Sequence, residues 1–152
     1  MSLLEDHLKW LNLHQEATLE PERPIVDPHH HFWPGEQHYL LEDLWLDTHS
    51  GHNIKKTVFI ECSQEFLKTG DTDFAPVGET IFVKKISDEA RKEKHKTQIE
   101  GIVGHVNLLI GPEKTHEVLT SHLKEGGNLF KGIRHAGGWD HHSELSLSLI
   151  HI

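Results

Sequence analysis

Four short apolar runs, separated by stretches of helical periodicity, constrain this chain more than any single residue does. The runs are Pro24-Ile25-Val26-Asp27, Thr57-Val58-Phe59-Ile60, Gly101 to Leu109 and Phe130 to His135. Short runs rich in β-branched and aromatic residues read as strands. Asn53 to Lys56 reads as the end of a polar loop. Between the strands, Tyr39 to Thr48 places Leu40, Leu41, Leu44 and Trp45 on one helical face. Pro76 to Lys94 reads as a helix that is apolar at Ile81, Phe82 and Ile86. A third helix runs from Pro112 to Lys124, with Val118, Leu119 and Leu123 facing inward. Proline suits its first turn, and Gly126-Gly127 stops it.

Strands alternating with helices predict an α/β fold whose strands, near residues 25–28, 57–62, 101–107 and 130–135, lie parallel and in sequential order. Counted from Val26, Val58, Val103 and Gly132, the strands start about 32, 45 and 29 residues apart. Eight such units need roughly 280 residues, close to the size of an eight-stranded barrel. The 152 residues hold four. The expected fold is therefore the N-terminal half of a (β/α)8 TIM barrel, with about four parallel strands and crossover helices. Residues 1–24 form a separate lead-in. Leu4, Leu8 and Leu11 mark an amphipathic helix over Leu3–Gln15, and a proline-containing linker follows from Ala17 to Pro24. Residues 25–140 form the partial barrel domain, and residues 141–152 a tail. There is no internal repeat and no low-complexity tract.

Charge and composition exclude some function classes. With 15 basic and 24 acidic residues the net charge is −9, which argues against a nucleic-acid surface. No apolar run approaches the ~18 residues of a membrane span. The single cysteine, Cys62, rules out an intrachain disulfide and fits a reducing compartment. No charged-then-apolar leader opens the chain, so a cytoplasmic protein is expected. A small-molecule substrate is the expected partner, with no nucleic acid and no membrane; association into homo-oligomers stays open.

The strongest chemical signal is Asp27-Pro28-His29-His30-His31-Phe32-Trp33. Alternate side chains of an extended strand point the same way, so Asp27, His29 and His31 share one side and His30 faces the other. Two imidazoles spaced in this way at a strand's end can grip one divalent metal, and nitrogen donors favour zinc. A neighbouring carboxylate, here Asp27, can orient a ligating imidazole. In a barrel, the C-terminal strand ends form the site.

Ile25 to Trp33 resembles the opening strand of the amidohydrolase superfamily, in particular its amidohydrolase-2 group, whose sugar-lactone hydrolases begin with a similar Asp-x-His-x-His-Phe-Trp. The resemblance continues in order through Thr57 to Cys62, Pro76-Val77-Gly78-Glu79-Thr80, Gly101-Ile102-Val103-Gly104-His105 and Phe130-Lys131-Gly132-Ile133-Arg134-His135. It implies an eight-stranded barrel and hydrolysis by a polarised water. Lactonases of the group that act without a metal leave metal-independent action open. Full members also draw a histidine or two and an aspartate from strands five, six and eight. A chain that ends after strand four lacks those residues, and its catalytic groups are unknown. Leu147-Ser148-Leu149-Ile150-His151-Ile152 continues no barrel pattern. It matches one reading frame of a transposon-end library adapter, so the tail is expected to be a scar ending a truncated gene.

Four further residues stand near strand ends and are candidates for substrate binding. Glu61 follows the second strand, and reaches the site or binds a loop backbone. His105 ends the third, in a rim or a core role. Arg134 and His135 cannot both point inward from one regular strand. A guanidinium at Arg134 suits a carboxylate or a polarised carbonyl, or a structural ion pair. Trp33, Trp45 and Trp139 read as packing, and Cys62 as a packed thiol. The functional expectation is a metal-dependent hydrolase of a lactone or a related ester or amide. Metal-dependent decarboxylation is the alternative within the enzyme class, and a non-catalytic fragment is the alternative outside it.

Overall fold

Parallel pairing in chain order organises the molecule. The computed structural model describes residues 7, 9–11, 13–14 and 16–136. Most of the helix expected over Leu3–Gln15, together with Trp139 and the tail at 141–152, lies outside the described residues. Strands β1 (Pro24–His30), β2 (Asn53–Ile60), β3 (Gln98–His105) and β4 (Phe130–Arg134) form one sheet in the order β1-β2-β3-β4. Every pairing is parallel. Helices α1 (Leu41–Thr48), α2 (Val77–Ala90) and α3 (Pro112–Gly126) make the crossovers. The expected α/β alternation and sequential parallel order are therefore present. Among the described residues no helix is long and apolar enough to cross a membrane.

Two strands begin earlier than their apolar runs. Asn53 and Ile54 pair with Pro24 and Ile25, so the polar stretch 53–56 is strand rather than loop. Gln98 opens β3 because its Nε2 donates to the carbonyls of Ala90, Glu93 and Lys96, tying the strand start to the end of α2. At the other end, β3 stops at His105, and Leu108–Ile110 turn into a 3-10 helix. Asn107 caps that turn by accepting the Leu109 N–H. Pro28 sits in edge strand β1, where its missing N–H costs no ladder bond to a second neighbour. The β1–β2 register shifts across it, between Asp27 and His30.

The core lies between the sheet and the helices. Phe32, Phe59, Ile99, Ile102 and Phe130 pack with Leu44 and Trp45 of α1 and Val83 and Ala90 of α2. Trp45 donates from Nε1 to the Thr97 carbonyl, and Lys96 Nζ stands 3.9 Å over its ring. The innermost positions of α2 and α3 are only in part the ones apolar periodicity selects: Val118 is fully buried as expected, but polar residues take much of both seams. On α2 the buried seam is Glu79, Thr80, Val83, Ser87 and Ala90, while Ile81, Phe82 and Ile86 are only partly buried. On α3, Val118 and His122 are buried and Leu123 is 55% exposed. His122 replaces the expected leucine because the site is polar. Its Nε2–H donates to the His105 carbonyl, and Nδ1 accepts the Thr80 hydroxyl. Its ring stacks on Phe130. A Cβ at Gly104 would meet that imidazole at 3.1 Å, so glycine there admits it. Burial holds the His122 pKa below its usual value, which matches a neutral ring that both donates and accepts.

Among the described residues no helix packs on the opposite face of the sheet. Register and pleat place Val26, Lys56, Val58, Ile60, Gly101 and Val103 on it together. Val26 is 56% exposed. Parallel strands are usually covered on both faces, so this face is the uncovered part of the fold.

His122→Ala should destabilise the chain by about 2–4 kcal/mol, because it opens a cavity and strips partners from Thr80 and the His105 carbonyl. Leu123→Ala one residue on should stay within about 0.5 kcal/mol. Urea unfolding of the two variants checks the contrast, which would reverse if Leu123 were the inward residue.

Candidate functional site

Because all four strands run the same way, their C-terminal ends share one edge of the sheet. His29, His31, Glu61, His105, Arg134 and His135 all lie at or just beyond those ends. They form three small groups.

The first is the histidine pair after β1. Asp27 Oδ1 accepts the backbone N–H of His29 at 3.0 Å, bracing the turn around Pro28. This carboxylate oxygen therefore positions backbone, whereas the sequence pointed to a carboxylate orienting an imidazole. The group that orients a ring is the Ile60 carbonyl, which accepts from His31 Nδ1 at 2.8 Å. With its proton on Nδ1, the neutral His31 ring carries its lone pair on Nε2. That atom lies 3.2 Å from His29 Nε2, with the two rings edge to face at 4.9 Å. Two nitrogens bound to one tetrahedral zinc at 2.0–2.1 Å stand roughly 3.3–3.4 Å apart. The pair therefore fits two corners of such a site. Among the described residues no group of three or more His, Cys, Asp or Glu side chains completes it.

His30 points away from this pair, into the core. Its ring packs edge-on against Phe32 and Phe59, and neither ring nitrogen has a hydrogen-bond partner. Burial lowers its pKa to about 4, so it stays neutral. A cleft of about 400 Å³ lies beside the motif, lined by Asp27, His29, His31, Trp33, Tyr39 and Asp47 among others. Tyr39 donates its hydroxyl to Asp47 at 2.7 Å. Burial, then that hydrogen bond, raises the Tyr39 pKa, so the phenol keeps its proton.

The second group is an ion pair across the sheet. Arg134 Nε donates to Glu61 Oε1 and Nη2 to the Glu61 carbonyl, both at 2.7 Å. Since β3 lies between β2 and β4, this side chain spans a whole strand. Two of its donors are committed to Glu61, which makes the pair a brace rather than an open carboxylate receptor. The third group is His105 and His135, edge to face at 5.4 Å. His105 Nδ1–H donates to the Arg134 carbonyl, and His135 Nδ1 accepts the Leu108 N–H.

Two elements of this edge are not singled out as site residues by the sequence. A backbone carbonyl such as that of Ile60 is present at every residue. Glu79, buried beneath Glu61 and Cys62, reads in sequence as an ordinary acidic residue in a helix's first turn.

Breaking the brace should be expensive. Arg134→Ala leaves Glu61 buried without its cation, and should cost about 3 kcal/mol; the double variant Arg134→Ala, Glu61→Gln should recover part of that. Thermal unfolding of the single and double variants measures the coupling, and simple additivity would show that the pair contributes nothing. No family model, no curated protein and no solved structure matches this chain.

Proposed function

We propose that this chain carries the opening half of a (β/α)8 barrel hydrolase of the amidohydrolase type, which uses a divalent metal, zinc by donor chemistry, to open a lactone or a related ester or amide. The observation that carries this reading is the 3.2 Å approach of His29 Nε2 and His31 Nε2, with His31 Nδ1 held by a carbonyl. A ligating imidazole characteristically donates its other N–H to such an oxygen, which fixes its tautomer and orientation. A bound divalent ion would supply a Lewis acid for the scissile carbonyl and a water of lowered pKa, around 7.

The chain's own residues have narrower tasks. Asp27 holds the turn that presents His29. The end of β2 holds His31. Trp33 and Tyr39 wall the adjoining cleft on the apolar side, and Asp27 and Asp47 furnish acceptors for substrate hydroxyls. The Glu61–Arg134 brace fixes the spacing of the strand ends around the site.

A second reading rests on a separate observation. Catalytic zinc sites usually have three protein ligands, and the described residues offer a pair. The uncovered sheet face around Val26 also lacks the layer that the far half of a barrel would bring. On both grounds the described residues by themselves are a non-catalytic unit that needs further ligands and strands, from the same or another chain, to turn over substrate.

Zinc titration by calorimetry tests the first reading. One weak site per chain is expected, with affinity reduced roughly tenfold or more in His29→Ala and in His31→Ala. Zinc binding unchanged by either substitution would defeat it. A panel of sugar lactones assayed with zinc should show no turnover by this chain; turnover lost in both histidine variants would defeat the second reading.

A further inference from the structure

Glu79 stands in the first turn of α2 and is 1% exposed. Its Oε1 accepts two backbone N–H groups from the segment that follows β2: Cys62 at 3.0 Å and Gln64 at 2.7 Å. Its Oε2 is sealed from solvent and has no hydrogen-bond partner. One oxygen therefore grips a loop and the other sits dry. The gripped segment is conformationally demanding, since Ser63 and Glu65 have φ of 62° and 51° in the left-handed region that L-residues avoid. It is also pressed onto the helix. A Cβ at Gly78 would collide with the backbone of Glu65 and Leu67, so only glycine lets the segment lie there.

The charges around Glu79 come from several elements. Glu61, at the end of β2, is held by Arg134 of β4. Cys62 contributes a thiol. Glu65 lies exposed on the loop itself. From α3, His122 reaches the same turn of α2 through Thr80. Among the described residues no cation pairs with the Glu79 carboxyl, and the neighbouring Glu61 opposes a second negative charge. Two N–H donors favour the ionised form, and a dry second oxygen opposes it.

We propose that Glu79 is a proton-controlled latch: with Oε2 protonated it closes the Cys62–Gln64 segment onto α2, and on losing that proton it releases the segment. The segment adjoins Glu61, so the latch also governs how firmly the Glu61–Arg134 brace is seated at the strand ends. Burial outweighs the two donors and moves the Glu79 carboxyl up to about 7, so the latch works near neutral pH. The sign follows from linkage. The closed state binds the proton more tightly than the open one, whose carboxyl has the usual value of 4.5. Opening is therefore favoured as pH rises from 4.5 to about 7, and levels off above that.

Cys62 makes the opening measurable. It is the chain's single cysteine and is buried. Burial, then Glu79, pushes its thiol up to about 12, so it reacts only when the segment opens. The rate of Cys62 labelling by dipyridyl disulfide, divided by that of glutathione at the same pH, reports the opening equilibrium. Between pH 5 and 8 the ratio should rise about a hundredfold in the wild-type chain and stay flat in Glu79→Gln. The buried imidazoles of His30 and His122 are present in both proteins, so the comparison removes any contribution from them. A flat wild-type ratio, or an equal rise in Glu79→Gln, overturns the proposal. Should the variant fail to fold, ¹³C-carboxyl NMR of the wild-type chain decides. A Glu79 carboxyl titrating near 7, together with the Cys62 and Gln64 amides, supports the latch, and titration in the ordinary carboxylate range overturns it.

Discussion

Parallel, in-order strand pairing is the constraint on which the rest depends. A parallel pair needs a crossover of a dozen or more residues, and each crossover here brings the chain back to start its next strand at the same edge. All four C-terminal strand ends therefore meet. Residues more than seventy positions apart, Glu61 and Arg134, become hydrogen-bond partners for that reason. The histidine pair after β1 gains its orienting carbonyl from the end of β2 in the same way.

Polar groups, more than apolar ones, lock the helices to the sheet. The Trp45 indole bonds the Thr97 carbonyl, Ser87 bonds the Ile99 carbonyl, and His122 joins Thr80 to the His105 carbonyl. Each ties a helix to the sheet or to the residue that leads into it, through a buried side chain. Apolar packing tolerates sliding, but a buried donor has one acceptor within reach and a penalty of about 1–3 kcal/mol if it loses it. Such bonds select one register of helix on sheet. Glu79 belongs to this set by position and departs from it by chemistry, because one of its oxygens is left without a partner.

The two sheet faces differ in consequence. The helix-covered face is closed by Phe59, Ile102 and Phe130. The other face presents Val26, Val58 and Val103 with no helix of the described residues above them. A β-branched residue on a parallel strand that is more than half exposed marks a surface shaped for cover. Under the barrel reading, that cover is the remainder of the barrel wall and its packed interior.

Much of the fold was legible in the sequence, because period-two apolar runs and glycine or proline stops act locally. Strand order, the parallel sense, the helix over 41–48 and the Gly127 stop, with its φ of 53°, all follow from such signals. His30 does face away from His29 and His31, but Asp27 does not side with that pair: the register shift between Asp27 and His30 sets Asp27 beside Thr57 and His30 beside Phe59, on one face, so strict alternation fails across Pro28. The strand starts at Asn53 and Gln98 were not legible, because their pairing is decided by partners 29 and 42 residues away, not by their own polarity. The inward face of α3 was misread as Leu123 for a related reason. Hydropathy ranks leucine above histidine, but the facing surface offered a hydroxyl and a carbonyl that only a polar ring satisfies. At the site, sequence alone determined which side chains stand at the strand ends. Only the tertiary structure decided their roles: Arg134 was committed to Glu61, His31 was oriented by a main-chain oxygen, and Glu79 was buried against the Cys62–Gln64 backbone. Those outcomes depend on distances between elements, and no local pattern in the chain carries distances.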